Sequence, residues 1–86
     1  MASYSLEIKR SAVKELAALP RRDRARIVTR IQALAHEPRP AGCEKLSGQE
    51  RYRIRQGDYR VLYEIRDEVL VVTVVRIGHR RAVYRK

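Results

Sequence analysis

Across residues 3–9 apolar and polar side chains alternate, with Tyr4, Leu6 and Ile8 on one side and Ser5, Glu7 and Lys9 on the other. A period of two is that of a half-buried strand. The spacing then changes to a helical one: Val13, Leu16 and Ala17 recur behind Ser11, a residue type that caps helix N-termini. Pro20 closes this helix and suits the first turn of the next. Ile27, Ile31 and Leu34 stand at i, i+4 and i+7 and form the buried stripe of that second helix. Pro38 and Pro40 stop it, and Gly42 and Gly48 mark a loop that Leu46 anchors to the core. Alternation returns over residues 51–55, where Tyr52 and Ile54 oppose Arg51, Arg53 and Arg55. It continues over residues 59–66, where Val61, Tyr63 and Ile65 oppose Arg60, Leu62 and Glu64, after a turn at Gln56, Gly57 and Asp58. Asp67 and Glu68 turn the chain into an apolar run, residues 69–77, that reads as a buried strand.

The predicted order is β-α-α-β-β-β, an α+β fold in a single domain over residues 1–86. Two N-terminal helices pack on one face of a small, mainly antiparallel sheet. Arg53, Arg55 and Arg60 project from the opposite face, which becomes an open basic platform.

Charge sharpens that picture. Twenty Lys and Arg face ten Asp and Glu, a formal net charge of +10 on 86 residues. Such a field favours a polyanionic partner, nucleic acid first. An apolar share of 44% excludes pervasive disorder. No stretch is long and apolar enough to span a bilayer, so no membrane role is expected. The N-terminus lacks the apolar core of a secretion signal. A lone cysteine, Cys43, cannot close an internal disulfide, and a reducing compartment, the cytoplasm, is the expectation. His36, Cys43 and His79 fall in different elements without metal-ligand spacing, so neither a metal nor a small-molecule cofactor is expected.

Four motifs carry a resemblance that spans nearly the whole chain. They are Lys45-Leu46-Ser47-Gly48, Tyr52-Arg53-Ile54-Arg55, Gly57-Asp58-Tyr59-Arg60 and Gly78-His79-Arg80-Arg81-Ala82-Val83-Tyr84. In content and order they resemble the RelE/ParE superfamily of bacterial toxin–antitoxin toxins, and the closing motif resembles the RelE branch. The resemblance implies a toxin with a cognate antitoxin. It also implies metal-independent, ribosome-dependent cleavage of messenger RNA, in which the ribose 2′-OH attacks the adjacent phosphate. Arg53 and Arg55 then stand where two basic residues bind the RNA backbone. Arg60 matches the arginine on the scissile phosphate, Arg80 an arginine near the leaving oxygen, and Tyr84 the tyrosine against the cut base. Arg81, with Arg22 and Arg26 on the second helix, adds further RNA contacts.

The residue chemistry agrees with that assignment and narrows it. Guanidinium groups bind phosphate oxygens in bidentate fashion and neutralise the charge that builds on them. Tyr84 offers a π-face for a base. Several RelE-branch members carry lysine where this chain has Arg53 or Arg55. An arginine keeps its proton, which removes these two as general bases. Either His79 takes the proton, or positioning and charge neutralisation carry the rate. Two readings stand beside this one: a ParE-like inhibitor of DNA gyrase without nuclease activity, and a non-catalytic RNA-binding module.

Overall fold

The computed structural model describes residues 3–46 and 51–79. Strand β1 (Ser5–Ile8) leads into helices α1 (Arg10–Ala17) and α2 (Arg21–Ala33). A two-residue strand β2 (Glu44–Lys45) follows, then β3 (Arg51–Gln56), β4 (Tyr59–Arg66) and β5 (Val71–His79). The predicted order holds, with β2 as an addition inside the expected loop. The five strands form one sheet in the order β1-β5-β4-β3-β2. β1 runs parallel to β5; the other pairings are antiparallel.

Alternation in β3 and β4 sends Tyr52, Ile54, Val61, Tyr63 and Ile65 to one face, where Val72, Val74 and Ile77 of β5 join them. Ala12 of α1 and Ile27 and Ile31 of α2, with Leu34 just beyond it, close this core from above. The predicted stripe of α2 is therefore the packed one. In α1 the buried residue is Ala12, while Val13 is 47% exposed. Helix α1 leans on β5 at one end of the sheet, and the small Ala12 side chain permits its close approach. Ser11 lies within the first turn; the N-cap position is Lys9, which makes no side-chain cap bond. Pro20 occupies the corresponding position of α2 and its carbonyl accepts the Arg24 amide at 2.9 Å.

The third hairpin departs from expectation in one detail. Val69 and Leu70 belong to the turn, exposed, and β5 starts at Val71. Leu70 adopts a left-handed backbone with φ 55°, and its carbonyl accepts the Ser5 amide at 2.8 Å. An apolar run alone does not say where its strand begins.

A second, smaller apolar cluster lies outside the main core: Leu62 and Val75 are buried, with Leu46 packed against them. Leu46 thus anchors its loop as predicted. The face away from the helices is not the uniformly basic platform expected from alternation, because this apolar strip crosses its middle. The cause is a β-bulge: register shifts between Leu62 and Tyr63, so Arg76 pairs with Leu62, Val74 with Tyr63, and Val75 is left over.

At the far end of the sheet, Arg39 and Asp67 form a two-pronged ion pair at 3.2 and 2.9 Å. Tyr4 donates to the same carboxylate at 2.6 Å, and Arg39 lies over the Tyr52 ring and donates to its hydroxyl. The Arg39 bonds, with that of Tyr4, hold the Asp67 carboxyl below its ordinary range. Tyr52 stacks on Tyr63, whose phenol donates to the Pro38 carbonyl at 2.7 Å and is pushed up by burial. Among the described residues no helix is long and apolar enough to cross a membrane.

Candidate functional site

Strand pairing places the predicted arginines in rows across the sheet. Arg51 faces Glu64, Arg53 faces Leu62, and Arg55 faces Arg60. Residues directly opposite on paired strands share a face, with Cβ atoms roughly 5 Å apart. These rows lie on the side away from the helices, because Tyr52, Ile54, Val61 and Tyr63 fill the other side. On β4's other flank Arg60 faces Gly78, and Tyr59 faces His79.

Charge differs from row to row. Arg51 bonds Glu64 at 3.0 Å. Arg53 bonds Glu44, the first residue of β2. Arg76, in the same row as Arg53 and Leu62, bonds Glu15 of α1 at 3.2 Å. In the last row, among the described residues, no carboxylate pairs with Arg55 or Arg60. Arg60 donates only a side-chain bond of 3.3 Å to the Tyr59 carbonyl. Two like charges directly opposite one another destabilise a sheet. Here they are kept side by side, while the two neighbouring rows, those of Arg51 and Arg53, each have a carboxylate partner among the described residues. The third member of the row is glycine, which adds no bulk beside Arg60.

Around this pair, Tyr59 meets the His79 ring edge-on, with centroids 6.1 Å apart and planes at 81°. Tyr59 is partly buried against the main core, on the helix side of the sheet. His79 is exposed at the end of β5.

The structure therefore brings Arg55 and Arg60 together in one row, with Arg53 one step along the same face; His79, paired with Tyr59, belongs to the next row, which alternation turns to the helix side of the sheet, so it is not brought to the arginines. It does not bring Arg22 and Arg26 to them: both are exposed on α2, in the layer on the other side of the sheet. Arg80, Arg81 and Tyr84 lie outside the described residues. The carboxylates Glu15, Glu44 and Glu64, which neutralise the neighbouring rows, were not foreseen. Glu64 is legible from the hairpin register once the turn is set, whereas Glu44 depends on β2 and Glu15 on the docking of α1. Among the described residues no group of three or more His, Cys, Asp or Glu is placed to hold a metal ion.

Comparison with known proteins bears on this geometry. Residues 6–84 match the family model of the ParE toxin of the type II toxin–antitoxin system parDE. The chain is 33% identical over 87 residues to Toxin RelG of Mycobacterium tuberculosis, covering 96% of this chain and 98% of that protein. The archaeal RelE–RelB complex of Pyrococcus horikoshii contains a chain of similar fold, with a TM-score of 0.83 and 30% identity. That match covers 93% of this chain and 98% of the other. The isolated E. coli RelE toxin matches with a TM-score of 0.80 and 30% identity, over 95% of this chain and 92% of that one.

Proposed function

Because this chain belongs to the RelE/ParE superfamily and is a toxin of a type II toxin–antitoxin system, we propose that it is an endoribonuclease that cleaves messenger RNA on the ribosome. The observation that carries this reading is the Arg55–Arg60 row, two guanidinium groups side by side with no carboxylate partner among the described residues. A phosphodiester is the anion such a row fits, since its two non-bridging oxygens accept paired N–H donors. Arg60 sits beside Gly78, where a backbone phosphate can approach without meeting a side chain.

The reaction is a transphosphorylation. The ribose 2′-oxygen attacks phosphorus, the bond from phosphorus to the 5′-oxygen breaks, and the products are a 2′,3′-cyclic phosphate and a 5′-hydroxyl. The 2′-OH proton leaves to water, since alternation sets His79 on the face opposite Arg55 and Arg60, and the departing 5′-oxygen takes up a proton. Negative charge on the non-bridging oxygens peaks between these events, where fixed guanidinium groups contribute most, on the order of 3–4 kcal/mol for a key donor. Arg60 takes that role. Arg55 and Arg53 hold the flanking backbone. By family resemblance Arg80 serves the leaving oxygen, Tyr84 stacks on the base, and Arg81 contacts the backbone. The partner that silences the toxin is a cognate antitoxin, as RelB accompanies RelE in the Pyrococcus horikoshii complex.

Primer extension on messenger RNA after induction tests the reading. Wild-type protein is expected to produce discrete new 5′ ends. Arg60→Ala and Arg80→Ala are each expected to reduce them about 100-fold or more, with circular dichroism and thermal unfolding retained. Purified toxin is expected to cut ribosome-bound RNA in EDTA and to leave naked RNA largely intact. The match to the ParE model favours one second reading, inhibition of DNA gyrase. Induction of DNA damage with intact messenger RNA would establish it in place of the first.

A further inference from the structure

The part of β5 that carries the site is the part with the least support from the sheet. On its outer flank β1 ends at Ile8, which faces Val74, and the last bond there is Lys9 N–H to the Val74 carbonyl at 3.0 Å. Among the described residues, β5 runs on to His79 with only β4 beside it. The bulge at Val75 falls at this same point, so the ladder is broken just before the residues that face Arg60 and Tyr59. A bulge bends its strand and leaves the local pairing weaker.

One side chain fills the gap. Glu15 of α1 accepts the Ile77 backbone N–H on one carboxylate oxygen at 2.9 Å and the Arg76 Nε on the other at 3.2 Å, both contacts partly buried. The Ile77 N–H points away from β4, to the flank that β1 has already left. Glu15 thus supplies the acceptor that a longer β1 would have supplied. Its own backbone is fixed in a helix whose Ala12 is wholly buried in the core.

We infer that Glu15 is a positioning residue, which ties the end of β5 to α1 and so holds Gly78 and His79 in register with Arg60 and Tyr59. The role rests on the nuclease reading, because it is defined by turnover at that row. Misplacement of reacting groups by as little as about 1 Å costs up to about 100-fold in rate. A tether that stops the strand end from drifting acts on turnover more than on binding.

The test uses the full-length toxin with ribosomes carrying messenger RNA, and compares Glu15→Ala, Glu15→Gln and Asp67→Asn with wild type. Asp67 anchors the opposite end of the sheet and serves as a control for stability alone. In Glu15→Ala the Ile77 amide is expected to exchange with deuterium at least tenfold faster. Its kcat is expected to fall about tenfold, with KM within twofold of wild type. Glu15→Gln keeps a carbonyl oxygen for the Ile77 N–H and is expected to recover most of the turnover. Asp67→Asn is expected to lower the melting temperature with kcat unchanged. Faster Ile77 exchange with unchanged kcat would overturn the positioning role, as would a rise in KM alone. An equal loss of kcat in Asp67→Asn would do the same. Unaltered Ile77 exchange would overturn the tether itself, whatever the enzyme does. Wild-type protein that cuts no RNA would instead overturn the nuclease reading, and the positioning role with it.

Discussion

Arg55 and Arg60 face one another across β3 and β4 at a cost in stability. Like charges opposite each other weaken a sheet by a few tenths of a kcal/mol or more. On the proposed function, the arrangement trades fold stability for a place where a phosphate can bind. Replacing one member with a strand-forming neutral residue should reverse the trade. Arg55→Thr is expected to stabilise the protein by about 0.5 kcal/mol, seen as a rise of about 3 °C in melting temperature. Its affinity for RNA is expected to fall in parallel. Thermal unfolding and RNA titration of the same preparation check both halves. The candidate residues of this row were legible in the sequence because each sits in a motif and on the polar side of an alternating strand. Their isolation from carboxylates was not. It follows from which acids face which rows, and Glu15 and Glu44 reach theirs only through the docking of α1 and the two-residue strand β2.

At the scale of elements, alternation located β3 and β4 because a period of two survives wherever one face is buried. The helical stripe of α2 was equally plain. Three things escaped this kind of pattern. Val13 keeps helical spacing yet faces solvent, since the tilt of α1 puts Ala12 against the core. Val69 and Leu70 extend an apolar run but belong to a turn. Val75 is turned to the far face by a bulge that no residue type announces. The contact between Arg39, Asp67, Tyr4 and Tyr52 ties the loop after α2 to β1, β3 and the β4–β5 turn. Its dependence on pH follows from the lowered Asp67 carboxyl. Folding favours the ionised form, so the stabilisation is fully present above the unfolded value of about 3.9. It is lost as pH falls from there through the folded value. Asp67→Asn is expected to melt slightly below wild type at neutral pH, the pair being exposed. The two melting curves are expected to converge in strong acid. Unfolding followed across pH for both proteins measures it.

For the whole molecule, the net charge of +10 is spread over both layers. Arg55 and Arg60 lie on the sheet face, while Arg22 and Arg26 lie on the helical layer behind it. With one RNA strand on the sheet face, as proposed, the helix arginines face a different direction and could take a second, larger polyanion such as ribosomal RNA. If they touch phosphate, the double variant Arg22→Ala/Arg26→Ala should flatten the dependence of ribosome affinity on salt. The expected change is about 0.7 in logarithmic slope per lost contact. Its kcat at saturating ribosomes is expected to be unchanged. Binding measured from low to moderate salt decides between that and an unaltered slope, which would mark the face as merely hydrated.

The pairing of β1 with β5 joins two segments far apart in the sequence, Ser5 to Val71. During synthesis β1 is made before the other four strands of the sheet and waits without a neighbour, because β5, which receives it, is the last of the five. The same late segment supplies the floor under α1 and one wall of the arginine row. A nascent chain therefore lacks both its hydrophobic floor and its completed arginine row until β5 has been made. Long-range closure of this kind is intrinsically slow. On the proposed ribosome-directed activity, a chain still lacking β5 has no completed arginine row with which to act on the ribosome that is making it.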